Sequence, residues 1–357
     1  MTAPTASDAP RLRILVVDDS AYNRRNIADI FASHPDTEVV GRAGDGEEAL
    51  RLVATLKPDV ITLDLEMPRM DGFTFLRILM AKQPVPVIVV SSYRQKENVF
   101  KALELGAVDF VAKPTRQVAP DADDLRKEIL EKVLAVRTAR AGRSRIAALR
   151  DVPLEAPNRP TTGPSLAPRH IVGIASSTGG PSAIIEIVSR LHARSQAAVL
   201  IAQHMPDKFT RTFAERLNRR GAFQFSEAQD GDVVWARTGF VCPGRQCMEV
   251  SVAVPSGEFR LRTGVPGSGD RYVPSADRML RSLAVAGGSR VVAVVLTGMG
   301  DDGTAGARAV REAGGVVIAE SEETAVVNGM PGSVVREGLA NYVLPLPQIA
   351  AMIAALP

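Results

Sequence analysis

At 357 residues the chain exceeds the roughly 250–300 at which single cores stop growing, so its length predicts two domains or one large one. Hydrophobic residues at 45% and charged residues at 23% are the balance of a globular protein, which excludes the disordered and fibrous classes. A net charge of only +3 and an aromatic fraction of 4% argue against nucleic acid as a partner, for want of both a strong field and base-stacking platforms.

The stretch Met1–Pro10 has neither a basic n-region nor an apolar h-region, so no secretory signal is expected and the chain reads as cytoplasmic. From Leu12 onward, short β-branched runs alternate with amphipathic stretches. Strands are predicted at Leu12–Val17, Glu38–Gly41, Val60–Leu63, Val87–Val90 and Val108–Val111. Helices are predicted at Tyr22–Ala32, Glu47–Leu56, Phe73–Met80, Lys96–Leu105 and Leu125–Val136. Five βα units in succession make a doubly wound parallel sheet, the (βα)5 arrangement, over residues 11–130. Residues 131–167 read as a linker that begins with a helical extension. Between 131 and 169 eight basic residues face three acidic ones, and five prolines fall between Pro153 and Pro168, where helical hydrogen bonding fails.

A second α/β domain occupies residues 168–357. Its predicted strands are Ile171–Ile174, Ala198–Gln203, Val291–Leu296 and Gly315–Ala319, and its predicted helices are Pro181–Leu191, Phe209–Arg219, Ala276–Leu283 and Thr304–Glu312. Between them, Phe223–Leu261 is broken by Gly and Pro and reads as a small antiparallel insertion. Apolar runs such as Val291–Leu296 fall far short of the ~20 residues of a membrane helix, so no direct membrane insertion is expected. Cys242 and Cys247 are too few for a disulfide scaffold or a four-cysteine zinc site. His34, His170, His192 and His204 are the four candidates for imidazole chemistry.

The first domain collects charge at one edge. Asp18 and Asp19 follow the first strand and Asp64 follows the third, and in a parallel sheet both positions share the carboxyl rim. Three carboxylates there repel unless a hard cation joins them, and Mg2+ meets that demand with carboxylates, water and phosphate oxygens. Ser91 and Lys113 end the fourth and fifth strands and add a hydroxyl and an ammonium. A single acid at a strand end is commonly a helix cap, but all five groups at matching ends suit phosphoryl transfer onto Asp64.

With these motifs in place, residues 12–130 resemble a response-regulator receiver domain, with Asp64 in Leu63-Asp64-Leu65-Glu66-Met67-Pro68 and the pair Lys113-Pro114. The resemblance implies that Asp64 accepts a phosphoryl group from a histidine kinase. It also implies that Mg2+ is held by Asp18, Asp19, Asp64 and the backbone carbonyl of Glu66. Phe110 stands where such domains often keep a switching aromatic, a place that a plain core phenylalanine fills equally well.

In the second domain Ser177 lies in Ile174-Ala175-Ser176-Ser177-Thr178-Gly179-Gly180-Pro181, directly after a strand, where two glycines permit a tight turn and Pro181 opens a helix. Free backbone N–H groups at such a helix start suit an oxyanion, although a phosphate loop or an N-cap has the same look. His204 follows the next strand, and Asp301 and Asp302 follow Val291–Leu296. Ser, His and Asp at three strand ends of one sheet allow a triad with His204 as base. A competing motif, Gly298-Met299-Gly300-Asp301-Asp302-Gly303 with Glu320 beyond the next strand, matches the dinucleotide fingerprint. Its two carboxylates would repel the pyrophosphate that such a turn receives.

Residues 170–355 resemble the catalytic domain of the chemotaxis protein-glutamate methylesterases, the CheB family. The shared motifs are Ala175-Ser176-Ser177-Thr178-Gly179-Gly180, Gln203-His204-Met205-Pro206, Phe209-Thr210, Pro243-Gly244 and Leu296-Thr297-Gly298-Met299-Gly300-Asp301-Asp302-Gly303. The resemblance implies Ser177 as nucleophile, His204 as base, Asp302 as orienting carboxylate, and the backbone N–H groups of Thr178 and Met299 as oxyanion hole. It implies no cofactor in the catalytic domain. The expected substrates are glutamate γ-methyl esters, and glutamine amides, on the cytoplasmic domains of methylated chemoreceptors, with hydrolysis gated by phosphorylation of Asp64. Ser176 stands where glycine is common and Asp301 where asparagine is common, so each adjacent pair is told apart only by the match. Arg271 and Met330-Pro331 are family-like positions that a surface or packing role would also explain.

Overall fold

The computed structural model describes residues 10–92, 96–113, 122–137 and 166–357. The chain divides into two compact units, Met1–Leu149 and Arg150–Pro357. Most of the predicted linker, 138–165, and Pro114 lie outside the described residues.

In the first unit the strands β1 (Leu12–Val17), β2 (Thr37–Ala43), β3 (Val60–Leu63), β4 (Val87–Ser92) and β5 (Asp109–Lys113) form one parallel sheet in the order β2-β1-β3-β4-β5. The inner strands are apolar on both faces because helices cover both, which is why they read as continuous β-branched runs. The edge strand β2 is half-exposed. Helices α1 (Ala21–Ala32), α2 (Gly46–Leu56), α3 (Gly72–Lys82), α4 (Lys96–Glu104) and α5 (Ala122–Arg137) connect and flank the strands. Side-chain caps start three of them: Ser20 accepts from Asn23 N–H, Asp45 from Glu48 N–H and Asp71 from Thr74 N–H. Helix α5 continues seven residues into the predicted linker, through Arg137, as the expected helical extension.

The second unit is built on β6 (His170–Ser176), β7 (Ala197–Gln203), β8 (Gln224–Glu227), β9 (Thr238–Val241), β12 (Val291–Val295), β13 (Val316–Glu320) and β14 (Tyr342–Leu344). They form a seven-stranded parallel sheet in the order β14-β13-β12-β6-β7-β9-β8. Its helices are α6 (Gly180–Ser189), α7 (Asp207–Arg220), α8 (Ala276–Gly287), α9 (Thr304–Glu312), α10 (Met330–Arg336) and α11 (Leu346–Ala354). The antiparallel part is a separate pair, β10 (Cys247–Val252) with β11 (Phe259–Gly264), on which α8 packs.

The antiparallel insertion is therefore smaller than the predicted Phe223–Leu261. The first half of that stretch, β8 and β9, extends the main sheet in parallel, because β9 pairs alongside β7 and the connection 228–237 returns the chain to start β9 in the direction of β8. The three last elements, α10, β14 and α11, were not predicted: they are short, and both helices begin with proline in the first turn.

Lys132 fastens α5 to the sheet. Its ammonium donates to the Phe110 carbonyl at 2.6 Å and lies 3.1 Å from Glu128 and 3.4 Å from the buried Asp109. Burial pulls its pKa down, but the carboxylates of Asp109 and Glu128 outweigh this and hold it above the ordinary lysine value. Lys132→Met removes one partner of the buried Lys132–Asp109 ion pair, at a cost of about 3–5 kcal/mol. Amide hydrogen exchange in β5 and α5 of the full chain is expected to speed up by roughly 100-fold or more. The double variant Asp109→Asn/Lys132→Met is expected to regain most of that protection.

Candidate active site

Asp18 and Asp19 follow β1 and Asp64 follows β3, the two neighbouring strands from which the chain departs in opposite directions. Carboxylate oxygens of the three residues lie within 4.8 Å of one another, a donor set suited to a hard divalent cation. Asp18 is fully buried, Asp64 is 8% exposed and Asp19 faces solvent. Lys113 ends β5 and reaches across β4 to both buried acids, with its Nζ 2.8 Å from Asp18 Oδ2 and 2.5 Å from Asp64 Oδ2. Ser91 is buried on β4 between them, in register with Ala112. Asp64 Oδ1 accepts the Leu65 N–H at 2.8 Å, and Asp18 Oδ1 accepts the Ser20 N–H at 2.9 Å. Arg24 donates to the carbonyls of Asp18 and Asp19, which fastens the acidic loop to α1. Glu66 is exposed two residues past Asp64. Phe110 is buried and packs edge-to-face on Phe100, with centroids 6.3 Å apart.

Burial pushes the Asp64 carboxyl above the usual carboxylate range, and the Lys113 ammonium pulls it back only in part. For Lys113 itself burial acts downward, but Asp64 and Asp18 outweigh it and keep the amine above its ordinary value.

In the second unit, Ser177 follows β6, His204 follows β7 and Asp302 lies on the turn after β12, so the three sit at the carboxyl edge of the adjacent strands β12-β6-β7. His204 Nε2 is 2.8 Å from Asp302 Oδ2, which leaves Nδ1 as the ring nitrogen not held by the acid. Asp302 is 1% exposed. Its Oδ2 also accepts the Ala276 N–H at 2.8 Å, and its Oδ1 accepts from Asp277 N–H at 2.9 Å and Gly303 N–H at 3.0 Å. Asp301 instead faces outward, where its Oδ1 accepts the Tyr272 hydroxyl at 2.9 Å and lies 3.4 Å from Arg271.

The two serines separate as cleanly. Ser176 is fully buried and donates to Gln203 Oε1 at 2.7 Å, whereas Ser177 is half-exposed. Among the described residues no hydrogen bond joins Ser177 to His204. Such catalytic bonds commonly tighten only once substrate is bound. The Ser177 loop and the 296–303 loop touch: a Cβ on Gly298 would stand 2.8 Å from Ser177 Cβ and 2.3 Å from Met330 Sδ. Glycine is required there for the close approach. The Ser177 N–H donates to the Thr297 carbonyl, while neither the Thr178 nor the Met299 N–H has a partner among the described residues.

Sequence reading did not single out Gln203 or Tyr272 as site residues. Gln203 Nε2 donates to the carbonyls of Ser177 and His204, both at 2.9 Å, so one amide ties the serine loop to the histidine loop. Tyr272 stacks on His204, and it lines a cleft of about 290 Å³ with Arg271, Asp301, Asp302, Arg281 and Arg308. The one signal for Tyr272 was its place beside Arg271. Glu320 is buried and accepts the Thr297 N–H at 2.8 Å, so it braces the turn from within. That internal use, with Asp302 spent on His204, removes the acidic ribose ligand on which the dinucleotide reading depended.

Lys113→Met removes the chief charge opposing burial at Asp64, so this carboxyl is expected to titrate higher still. A folded-state value above the unfolded one means that the fold favours the protonated acid. The destabilisation by Lys113→Met should therefore be smallest in acid and grow as pH rises from about 4 through the raised Asp64 value. Carboxyl carbon titration by NMR, with thermal melts from acid to neutral pH, measures both effects.

Comparison with known proteins agrees with this layout. A family model described as CheB methylesterase matches residues 172–353, and one described as response regulator receiver domain matches residues 14–129. The protein-glutamate methylesterase/protein-glutamine glutaminase 1 of Myxococcus xanthus is 46% identical over 345 residues, covering 97% of each chain. A protein-glutamate methylesterase/protein-glutamine glutaminase of Pyrococcus abyssi is 40% identical over 341 residues, covering 95% of this chain and 92% of that one. The crystal structure of the Thermotoga maritima CheB methylesterase catalytic domain matches at a TM-score of 0.50 and 38% identity, over 52% of this chain and 97% of that one. The chain thus belongs to the CheB methylesterase family, enzymes with a response-regulator receiver domain ahead of the catalytic domain.

Proposed function

We propose that this enzyme hydrolyses glutamate γ-methyl esters, and deamidates glutamines, on the cytoplasmic domains of chemoreceptors, and that phosphorylation of Asp64 by a histidine kinase gates the reaction. The observation that carries the catalytic part is the 2.8 Å bond from His204 Nε2 to a buried Asp302 at the strand edge where Ser177 is half-exposed.

In this reading Ser177 Oγ forms a bond to the γ-carbonyl carbon of the glutamyl ester and gives its proton to His204 Nδ1. The carbonyl electron pair moves onto oxygen, where the N–H groups of Thr178 and Met299 receive the charge. Collapse of this intermediate breaks the bond to the methoxy oxygen, which takes the proton back from His204 and leaves as methanol. Water then attacks the acyl-enzyme by the same route, releasing glutamate and restoring the serine. A glutamine side chain offers the same acyl carbon, with ammonia as leaving group. Asp302 holds the imidazole with its proton on Nε2 and stabilises the imidazolium formed at each transfer.

At the receiver, Asp64 is the phosphoacceptor, and Lys113 and the Ser91 hydroxyl contact the phosphoryl oxygens. The donor set fits a metal: bound by Asp18, Asp19, Asp64 and the Glu66 carbonyl, Mg2+ would neutralise charge on those oxygens. Among the described residues no helix is long and apolar enough to cross a membrane, which fits work on the cytoplasmic side of receptors.

Methanol release from methylated receptor, with and without a small phosphodonor, is the test. Ser177→Ala is expected to lose roughly 10³-fold or more in kcat, and Ser176→Ala to keep most of it. Asp64→Asn is expected to keep basal turnover and lose the response to the phosphodonor. Full activity in Ser177→Ala would overturn the triad, and a retained response in Asp64→Asn would overturn the gating.

A further inference from the structure

We infer that Tyr272 is a positioning residue for His204: its ring covers one face of the imidazole and Asp301 holds it there. This inference rests on the triad reading above.

A single hydrogen bond to Asp302 leaves the imidazole free to turn about it, because the terminal torsion of a histidine side chain is broad. The lone pair that must take the serine proton lies in the ring plane, so a tilt misdirects it. Tyr272 supplies the missing restraint. Its ring lies parallel to that of His204, with 10° between the planes and 5.3 Å between centroids. A stacked neighbour fixes the plane, as one in-plane hydrogen bond does not. The same π face is placed to stabilise the imidazolium at each proton transfer.

Tyr272 is in turn tethered. Its hydroxyl donates to Asp301 Oδ1 at 2.9 Å, and the Arg271 guanidinium lies 3.4 Å from that oxygen and 5.1 Å from the tyrosine ring centroid. Burial and the Asp301 carboxylate push the phenol above its ordinary pKa, which keeps it a hydrogen-bond donor. Space for the hydroxyl is reserved in the backbone. Gly300 has a φ of +78°, and a Cβ there would come within 2.4 Å of the Tyr272 oxygen. Asp301 and Asp302 are consecutive, so one turn restrains His204 twice: through the ring nitrogen, and through the tyrosine on the ring face.

The experiment compares Tyr272→Ala, Tyr272→Phe and Ser177→Ala in the full chain. Methanol release from methylated receptor gives kcat and KM, and NMR of 15N-labelled histidine gives the His204 tautomer and its mobility. Tyr272→Ala is expected to lower kcat roughly 10- to 100-fold, with KM within about twofold, since small displacements of a reacting group carry losses of this size. Tyr272→Phe keeps the ring but loses the tether to Asp301, so its kcat is expected to lie about three- to tenfold below wild type and above that of Tyr272→Ala. In the wild type the neutral ring should carry its proton on Nε2 in a sharp signal, which broadens in Tyr272→Ala and sharpens again in Tyr272→Phe. If Tyr272→Ala unfolds, Tyr272→Leu replaces it, filling the volume without a π face. A wild-type kcat in the Ala or Leu variant, a loss confined to KM, or a Phe variant as poor as Ala would each overturn the inference. Turnover in Ser177→Ala would overturn the triad itself; an inactive Ser177→Ala beside a fully active Tyr272→Ala would overturn the tyrosine's role alone.

Discussion

Asp302 is a carboxylate with 1% of its surface exposed, and much of the second unit is arranged to make that burial tolerable. A buried charge is stable only when its acceptor sites are met, and four donors meet this one: three backbone N–H groups and His204. Two of the backbone donors, Ala276 and Asp277, are the first residues of α8, so the start of that helix has to sit beside the turn after β12. Its N-terminal dipole favours the anion as well. Helix α8 also packs against β6 and β10, which ties the antiparallel pair to the main sheet. Asp277 extends the network, accepting the Gly306 N–H of α9 at 2.7 Å. Burial, with the Asp302 charge beside it, raises the Asp277 carboxyl above its usual range.

Both units place their chemistry where strand order reverses, and they treat buried carboxylates in opposite ways. Asp302 has four donors for about four lone-pair sites, so it has no capacity left for a ligand. Its task is to hold one imidazole. Asp64 takes one backbone N–H and one ammonium, and its neighbours Asp18 and Asp19 add oxygens within 4.8 Å. Capacity is left there, and the neutralising charge sits on Lys113. Closed coordination suits a fixed orienting group, and open coordination fits the role proposed for Asp64 as acceptor of phosphoryl and metal.

Much of this was legible in the sequence because parallel strands buried on both faces must be continuous apolar runs. The strands Leu12–Val17 and Val60–Leu63 and the helix Thr304–Glu312 coincide with their predicted bounds. The direction of β8 and β9 was not legible: strand pairing is decided by what lies across the sheet, and the Gly and Pro punctuation of that stretch looks the same for hairpins and crossovers. Gln203 and Tyr272 were missed for a related reason. Beyond the place of Tyr272 beside Arg271 neither carries a local signal, and their roles depend on contacts across the fold, Gln203 with the Ser177 carbonyl and Tyr272 with the His204 ring.

Three neighbouring pairs of like residues show how much of a site is decided by orientation rather than composition. At Asp18-Asp19, Ser176-Ser177 and Asp301-Asp302 one member is buried and the other more exposed: at the first two pairs as successive side chains alternate where an extended strand ends, at the third within the turn that precedes α9. At the serines the inward member is locked to Gln203, and the outward one is the proposed nucleophile. At the second aspartate pair the order is reversed: the inward Asp302 holds the imidazole, while the outward Asp301 anchors the tyrosine stacked upon it. At the first pair the inward Asp18 answers Lys113 and the outward Asp19 faces solvent with an oxygen to offer. Burial alone therefore does not separate structural from functional members. What separates them is the partner each side chain meets: a group confined to the interior, as at Ser176, or one that shares the reacting edge, as at Asp302.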